Sequence, residues 1–351
     1  MKRYFGLDIV RILATCLLLW LHFFLRNGFY HSEATGFGGF LAVSMRPVFM
    51  CCIPLFLMLT GYLKCKKEWT IRYYLSLAPI IVSFFLISAI HLIYKLIRVD
   101  EVKSAGEWLW DFLNFHLADY SWYIGMYIGL FLISPLLNQL WNSLGTRKLH
   151  LMAVITMASV TFVPSTVNSL YVPEGMDGTI LPTYFTGLWY VTYYLIGCYI
   201  RTYRPALKKR IGIPAALLVA AIQGLWNINS RTDPKNYYSG YSASYSNLLI
   251  CLIAVVLFLM VYRLESGSCG LSRAAELISR VSLEMYLISY IVDSNIYPRA
   301  YGKYSMTQYP TVGLLMTLAV FLLAFISGIL VHGLTGLIVS GIRRGFSRFF
   351  R

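Results

Sequence analysis

Apolar segments of about 20 residues recur along almost the whole chain, and each is long enough to cross a bilayer as a helix. Inside hydrocarbon every backbone amide needs an internal partner, so a spanning chain forms either helices or a closed barrel. The segments lack the strict alternation of barrel strands. Apolar residues make up 58% of the chain and charged residues 13%, whereas roughly a quarter of a soluble protein is charged. The sequence therefore predicts an all-α, polytopic transmembrane helical bundle that forms a single domain over residues 1–351.

We predict about ten membrane spans. Their approximate limits are 5–26, 41–63, 73–97, 120–141, 150–167, 183–203, 211–228, 244–264, 281–299 and 311–340. Pro54, Pro79, Pro135 and Pro164 lie inside these spans. Because proline has no backbone N–H, we expect each of them to kink or interrupt its helix.

The formal charge of +15 is distributed unevenly between alternate loops. Lys and Arg concentrate in the loops on one side of the membrane and near both ends of the chain, whereas acidic residues offset them on the other side. The basic segments are Lys2-Arg3, Lys64 to Arg72, Arg147-Lys148, Arg201 to Arg210, Arg263 to Arg280 and Arg343 to Arg351. This asymmetry predicts that both termini are cytoplasmic. Because the basic residues follow a membrane pattern, we do not expect nucleic-acid binding.

Seven cysteines are present, and all fall within predicted spans or at their cytoplasmic ends. Their spacing suits neither a disulfide framework nor a metal site. We therefore expect no bound metal and interpret the cysteines as small apolar residues.

The first predicted span carries ionisable residues on one face. An ionisable group inside a span costs on the order of 3 kcal/mol by insertion scales, so a functional role is the default hypothesis. The eleven-residue spacing from Arg11 to His22 returns to within about 20° of the same face and rises by about 16 Å. Asp8 lies one turn before Arg11, within reach of an ion pair, and Thr15 continues the stripe. We expect this face to line a polar cavity that opens to the cytosol.

Other ionisable residues within the spans are weaker candidates. Glu284 and Asp293 point to opposite sides of the ninth span, because nine residues turn a helix by about 900°. We expect Glu284 to line the cavity and Asp293, near the outer end, to be solvated. His91 and His332 are interpreted as core histidines. Arg46 faces either an outer vestibule or the lipid headgroups.

Two outer segments are rich in aromatic residues. Residues 98–119 become amphipathic towards their end, which predicts a segment lying along the outer interface. Residues 236–247 contain Tyr237, Tyr238, Tyr241 and Tyr245. These rings suit stacking on sugars at the mouth of a cavity, and they equally suit the aromatic belt of a membrane surface.

The spacing of Arg11 and His22 resembles the Arg-x10-His signature of the membrane-integral acyltransferase-3 family, whose members acylate cell-surface polysaccharides, lipopolysaccharide or peptidoglycan. Further segments are similar to that family in the same order. They are DIVRILATCLLLWLH in the first span, PLFLMLTGYL at residues 54–63, Arg72 with Pro79, SWYIGMYIGLFLISPLL at residues 121–137 and SLEMYLIS at residues 282–289. Two positions depart from the family pattern, namely Ser289, where a histidine is common, and Ser76, where a second arginine is common.

The resemblance implies an enzyme that moves an acetyl or other short acyl group from cytosolic acyl-CoA to a hydroxyl group of a cell-surface glycan or glycolipid precursor. In this interpretation His22 is the catalytic base or an acyl relay, and Asp8 orients Arg11. Arg11 and Arg72 bind the phosphates of acyl-CoA, which is a co-substrate and not a resident cofactor. The further residues that we expect to contact substrate are Trp122, Tyr123, Glu284 and Tyr286. The implied location is the bacterial plasma membrane, with the lipid bilayer, the donor and a glycan or lipid-linked glycan acceptor as partners.

Two other classes of protein remain open at this point. In a transporter or exporter, the charges of the first span would form an ion or proton relay. The lack of a convincing internal repeat weakens an inverted-repeat transporter without excluding it. In a structural or receptor-like membrane protein, the same charges would only specify how the helices pack.

Overall fold

A computed structural model describes residues 4–99, 101–169, 180–229 and 244–349 of the chain. Every regular element in these ranges is helical, which confirms the all-α prediction. The α-helices are α1 (Phe5–Arg26), α2 (Gly36–Phe49), α3 (Cys52–Lys64), α4 (Ile71–Leu75), α5 (Ala78–Tyr94), α6 (Ala105–Leu113), α7 (Trp122–Ser143), α8 (Arg147–Thr161), α9 (Val163–Asn168), α10 (Trp189–Tyr203), α11 (Lys209–Asn229), α12 (Leu248–Val261), α13 (Cys269–Arg280), α14 (Ser282–Ile296) and α15 (Tyr309–Phe349).

Seven helical stretches in the described ranges are long and apolar enough to cross a membrane. They are Phe5–Arg26, Gly36–Lys64, Ile71–Val99, Trp122–Ser143, Arg147–Asn168, Lys209–Asn229 and Met306–Ile342. The three remaining predicted spans contain α10, α12 and α14, which have 15, 14 and 15 residues. Helices of this length cover about 22 Å, less than the roughly 30 Å of hydrocarbon. The polytopic bundle is confirmed, with seven full-length spans by this criterion where the sequence predicted about ten.

The prolines inside the predicted spans account for several helix boundaries. Between α2 and α3 the helix is interrupted after Phe49, because Pro54 has no N–H to donate to the carbonyl four residues earlier. Pro79 lies in the first turn of α5 and Pro164 in the first turn of α9. Pro135 lies within α7, which continues past it.

α1 lies at the centre of the bundle. It packs against α2, α3, α12, α13, α14 and α15, so most of its residues are buried. Gly6 permits this close approach at the cytoplasmic end predicted for α1, because a Cβ there would overlap the backbone of Val261 and Tyr262. Because α1 is enclosed, its polar side chains must find partners on the neighbouring helices.

α3 and α10 cross at two glycines. A Cβ at Gly61 would overlap the backbone carbonyl of Tyr194, and a Cβ at Gly197 would overlap that of Met58. Small residues at such crossings let helix backbones approach closely, which is how helices commonly associate within membranes. α3 is thus held between α10 and α1, and its remaining face is left to line a cavity.

Candidate active site

His22 is the buried end of the polar stripe on α1. Its side chain is only 5% exposed, and its Nδ1 donates a hydrogen bond of 3.1 Å to Oδ2 of Asp293 on α14. The expectation that Asp293 is solvated is wrong, because its exposed fraction is 0%. The outer end of α14 packs against α1 and α15, and these helices cover a carboxylate that sequence position alone places near the surface.

Two further residues complete this cluster. The hydroxyl of Tyr120 donates to both carboxylate oxygens of Asp293, at 3.1 and 3.0 Å, and its ring stacks on that of His22 with centroids 3.7 Å apart. Nε of Arg26 lies 3.2 Å from Oδ1 of Asp293, which balances the buried charge. Arg26 was not among the predicted site residues, although it follows His22 by one helical turn, a spacing that places two residues on the same face.

The hydrogen bond to Asp293 decides the chemistry available to His22. A carboxylate accepts only, so the proton is assigned to Nδ1 and the lone pair to Nε2. Within the described ranges no hydrogen-bond partner is found for Nε2. The arrangement is therefore a buried carboxylate–histidine pair whose second nitrogen can accept a proton or attack an acyl group.

Arg11 lines a cavity of about 260 Å³, which we call the inner channel. Its guanidinium donates to the carbonyl and hydroxyl oxygens of Ser279, at 3.3 and 3.0 Å. The channel follows one face of α3, whose lining residues are Ile53, Phe56, Leu59, Thr60, Leu63 and Lys64. From Lys64 to Ile53 this face rises by about 16 Å. The inner channel is therefore long, and its walls along α3 are mostly apolar.

His22 is not among the described residues that line the inner channel, so Arg11 and His22 do not both line this cavity, contrary to expectation. The channel ends at Tyr123 and Tyr286, whose rings meet edge to face with centroids 5.9 Å apart. The hydroxyl of Tyr286 donates to the backbone carbonyl of Tyr120. The aromatic rings of Tyr120 and Tyr286 fill the space between the channel and His22.

A second cavity of about 390 Å³ adjoins the inner channel and shares Lys64 with it; we call it the basic groove. Its lining residues are Lys64, Lys66, Lys67, Glu68, Thr70, Arg72, Tyr73 and Ser76. The ammonium of Lys64 lies 4.4 Å from the ring centre of Phe131 and 5.3 Å from that of Tyr73. Arg72 and Arg11, predicted to act on the same ligand, thus lie in adjoining cavities.

The remaining predicted site residues lie elsewhere. Asp8 is buried and lines a separate polar cavity of about 800 Å³ near the start of α1. Trp122 stacks on Tyr245, with ring centroids 5.9 Å apart. Glu284 accepts a hydrogen bond of 2.8 Å from Ser83 and lies 3.1 Å from Nδ1 of His332. Glu284 therefore faces α5 and α15 and does not line the inner channel, contrary to expectation.

Arg46 and Tyr245, near the predicted outer surface, both pack against aromatic side chains. Arg46 is buried, and its guanidinium contacts the hydroxyl and ring of Tyr30, so it faces neither open vestibule nor headgroups. Of the outer tyrosines, Tyr245 lies between Trp122 and Trp189. Tyr237, Tyr238 and Tyr241 lie outside the described residues.

Comparison with curated proteins and with solved structures finds no match. A family model does match: it is described as an acyltransferase domain, represents the acyltransferase-3 family and covers residues 4–337. The matched range contains every residue of the His22 cluster, the inner channel and the basic groove. The chain therefore belongs to the acyltransferase-3 family and is a multi-pass membrane acyltransferase.

Proposed function

We propose that this protein transfers an acetyl or other short acyl group from cytosolic acyl-CoA to a hydroxyl group of a cell-surface glycan or glycolipid precursor in the bacterial plasma membrane. The observation that carries the proposal is the buried hydrogen bond between His22 and Asp293. This pair provides a basic nitrogen in the membrane interior. The rings of Tyr120 and Tyr286 separate that nitrogen from the inner channel, whose other end adjoins the basic groove.

The basic groove is suited to the nucleotide end of the donor. Phosphate groups cannot enter hydrocarbon cheaply, so they must stay at the end of the channel that carries cations. Lys66, Lys67 and Arg72 supply positive charge there, and guanidinium and ammonium groups both bind phosphate oxygens. Lys64 contacts ring faces and no carboxylate among the described residues, which leaves its charge available to a phosphate.

The inner channel is suited to the slender arm that links the nucleotide to the thioester. Its walls along α3 are mostly apolar, and Arg11 and Ser279 provide polar groups near the cytoplasmic end. An unbranched arm threaded along the roughly 16 Å of α3 brings the thioester to Tyr123 and Tyr286. For the thioester to reach His22, the side chain of Tyr286 must turn aside, and so must the ring of Tyr120 that stacks on His22.

Two routes of transfer use the same nitrogen. In the first, Nε2 of His22 takes the hydroxyl proton as the acceptor oxygen attacks the thioester carbonyl; the C–S bond breaks and the thiolate receives that proton. In the second, Nε2 attacks the thioester carbonyl and the C–S bond breaks, which releases the CoA thiolate; the acceptor oxygen then attacks the acyl-imidazole, the C–N bond breaks, and the hydroxyl proton passes to the thiolate. Asp293 stabilises the positively charged imidazole in both, and Nε of Arg26 lies 3.2 Å from Oδ1 of the same carboxylate.

The test compares donor binding with acyl transfer in purified variants. We expect His22→Ala to abolish transfer of radiolabelled acetyl groups to membrane acceptors while acetyl-CoA still binds in calorimetry. We expect Arg11→Ala to weaken acetyl-CoA binding by about ten-fold, because a hydrogen-bonding cation is removed. His332→Ala is the matched control, since this half-exposed histidine pairs with Glu284 and lies outside the channel.

Transfer that persists in His22→Ala, or unchanged acetyl-CoA affinity in Arg11→Ala, would contradict the proposal. Acid quenching during turnover separates the two routes. A labelled protein band that His22→Ala loses indicates the acyl relay, whereas its absence in active wild-type protein indicates the general base.

A further inference from the structure

A second charge pair, with a buried ammonium and a partly exposed carboxylate, lies on the outer side of the His22 cluster, where the mechanism above does not use it. Nζ of Lys95 lies 3.1 Å from Oδ2 of Asp119, and the two side chains are 7% and 35% exposed. Removing an ammonium from water costs several kcal/mol unless it is well compensated. Asp119 supplies this compensation, and its partly exposed carboxylate is the part of the pair that solvent can reach.

The backbone on both sides of this pair is irregular. Lys95 begins a five-residue π-helical turn, Lys95–Val99, at the end of α5, and such turns occur frequently at functional sites. Phe115, in the loop that leads to Asp119, has a φ of 59°, which is unfavourable for a bulky residue. Its carbonyl accepts a hydrogen bond of 2.7 Å from Ser121. Both segments hold their charged residues at a local conformational cost.

One turn before Lys95, a histidine carries an unsatisfied atom. His91 is fully buried, and its Nδ1 donates to the carbonyl of Ile87 over 2.9 Å. Its Nε2 has no hydrogen-bond partner among the described residues. The ring lies 5.5 Å from that of Tyr290. Buried acceptors in native proteins usually have a hydrogen-bond partner, so this nitrogen is able to accept a hydrogen bond from a ligand.

His91, Lys95, Asp119 and Tyr290 form what we call the outer polar cluster, and it adjoins the reaction centre. Asp119 directly precedes Tyr120, which stacks on His22. The ring of Tyr290 meets that of Tyr120 edge to face, with centroids 5.3 Å apart. The guanidinium of Arg26 lies 4.5 Å above the ring of Tyr290. A ligand in the outer polar cluster is thus separated from His22 by a single aromatic ring.

The charges of the cluster indicate the chemistry of its ligand. Lys95 and Arg26 are balanced by Asp119 and Asp293, so the site has no excess charge to attract an ion. An ammonium has three donors and a carboxylate several acceptor sites, so the single contact of 3.1 Å leaves both groups able to form further hydrogen bonds. A hydroxyl group both donates and accepts, so neighbouring hydroxyls of one sugar ring match this pair. The ring of Tyr290 offers a flat face to the C–H side of the same sugar.

We propose that the outer polar cluster binds a neutral sugar ring of the acceptor and, once the ring of Tyr120 turns aside, presents one of its hydroxyl groups to His22. This inference rests on the acyl transfer proposed above and adds to it the location of the acceptor and its lack of charge. Lys95 and Asp119 hydrogen-bond to two neighbouring hydroxyl groups of the sugar. Nε2 of His91 accepts a hydrogen bond from a third hydroxyl group.

The experiment measures sugar binding without a donor and sugar acylation with acetyl-CoA. The probes are maltotetraose and chitotetraose as neutral sugars, tetragalacturonate as an anionic sugar, and phosphatidylglycerol vesicles as a lipid polyol. We expect wild-type protein to bind a neutral tetrasaccharide by saturation-transfer NMR. Lys95→Met and Asp119→Asn should each raise the dissociation constant and the acceptor KM by about ten-fold or more, with acetyl-CoA affinity unchanged.

Two further variants keep the result interpretable. Lys95→Met combined with Asp119→Leu removes both charges together, so neither charge is left unpaired and the sugar contacts are still absent. Lys103→Met is the matched control, because Lys103 pairs with Glu101 and Asp111 at 2.6 and 2.8 Å in the outer segment that precedes α7.

The inference is overturned if wild-type protein binds neither neutral sugar, prefers tetragalacturonate or phosphatidylglycerol, or loses sugar binding equally in Lys95→Met and Lys103→Met. These outcomes are distinguishable from failure of the proposed function. Sugar binding is read without acetyl-CoA, whereas the role of His22 in transfer is read from His22→Ala.

Discussion

His22, Asp293, Tyr120 and Arg26 show how a few buried polar groups satisfy one another in an apolar bundle. Each charge in such surroundings is tolerated only when hydrogen bonds or an opposite charge compensate it. Asp293 receives hydrogen bonds from His22 and Tyr120 and a charge contact from Arg26. The result at the level of single residues is an imidazole with a fixed orientation and a fixed tautomer.

Exchanging the Asp293 carboxylate for an amide tests whether this tautomer matters. In Asp293→Asn, the amide can donate to Nδ1, which moves the ring proton to Nε2 and blocks that nitrogen as a base. We expect kcat to fall by about 10²- to 10⁴-fold, with acetyl-CoA affinity unchanged, as measured by single-turnover transfer and calorimetry. Glu284→Gln is the matched control on the same helix, because Glu284 faces Ser83 and His332. Equal losses in the two variants would contradict the assignment.

At the scale of helices, the inner channel depends on how α3 is held. One side of α3 contacts α10 through Gly61 and Gly197, and another side contacts α1. Its remaining face carries the residues from Lys64 to Ile53 that line the channel. A shift of α3 away from α10 would therefore change the width of the channel along its whole length.

Adding a methyl group at this crossing should separate the two helices. Gly61→Ala places a Cβ against the backbone carbonyl of Tyr194, and overpacking of this kind costs about 1–3 kcal/mol. We expect a lower thermal unfolding midpoint in detergent and weaker acetyl-CoA binding. Gly129→Ala on α7 is the control, because a Cβ there has nothing within 4 Å and alanine favours the helix by about 0.5–1 kcal/mol. If the unfolding midpoints of Gly61→Ala and Gly129→Ala both shifted in the same direction from that of the wild-type protein, the crossing of α3 and α10 would not be tight.

For the whole molecule, the orientation in the membrane decides which substrate reaches which end of the site. The basic groove and Arg11 belong to the end that the distribution of Lys and Arg assigns to the cytosol. The outer polar cluster lies beyond His22, towards the opposite end. A donor from the cytosol and an acceptor from outside therefore meet at one histidine only if the chain has the predicted orientation.

A natural cysteine reports on this orientation. Cys269, the first residue of α13, is exposed, whereas the other six cysteines are buried or half-buried. A membrane-impermeant maleimide should label Cys269 in inside-out vesicles and leave right-side-out vesicles unlabelled, with Cys269→Ser as the control. Labelling of right-side-out vesicles at Cys269 would reverse the predicted topology and with it the assignment of donor and acceptor ends.

The sequence by itself determined the class of the fold and the polar face of α1. Apolar segments of membrane length require helices, whatever their neighbours are, because backbone amides in hydrocarbon have no other partners. The 3.6-residue period is equally local, so it predicted that Arg11 and His22 share a face of α1. The family resemblance, carried by the same residues, agrees with the matched range 4–337.

Only the tertiary structure decided what these residues meet. Asp293 is 271 positions from His22 along the chain, and no local pattern relates the two. The closure of the inner channel by Tyr123 and Tyr286 and the turning of Glu284 towards α5 and α15 likewise follow from how separate helices pack. Periodicity specifies which side chains share a helix face, whereas the partner opposite that face depends on the rotation and depth of another helix, which packing of the whole bundle sets.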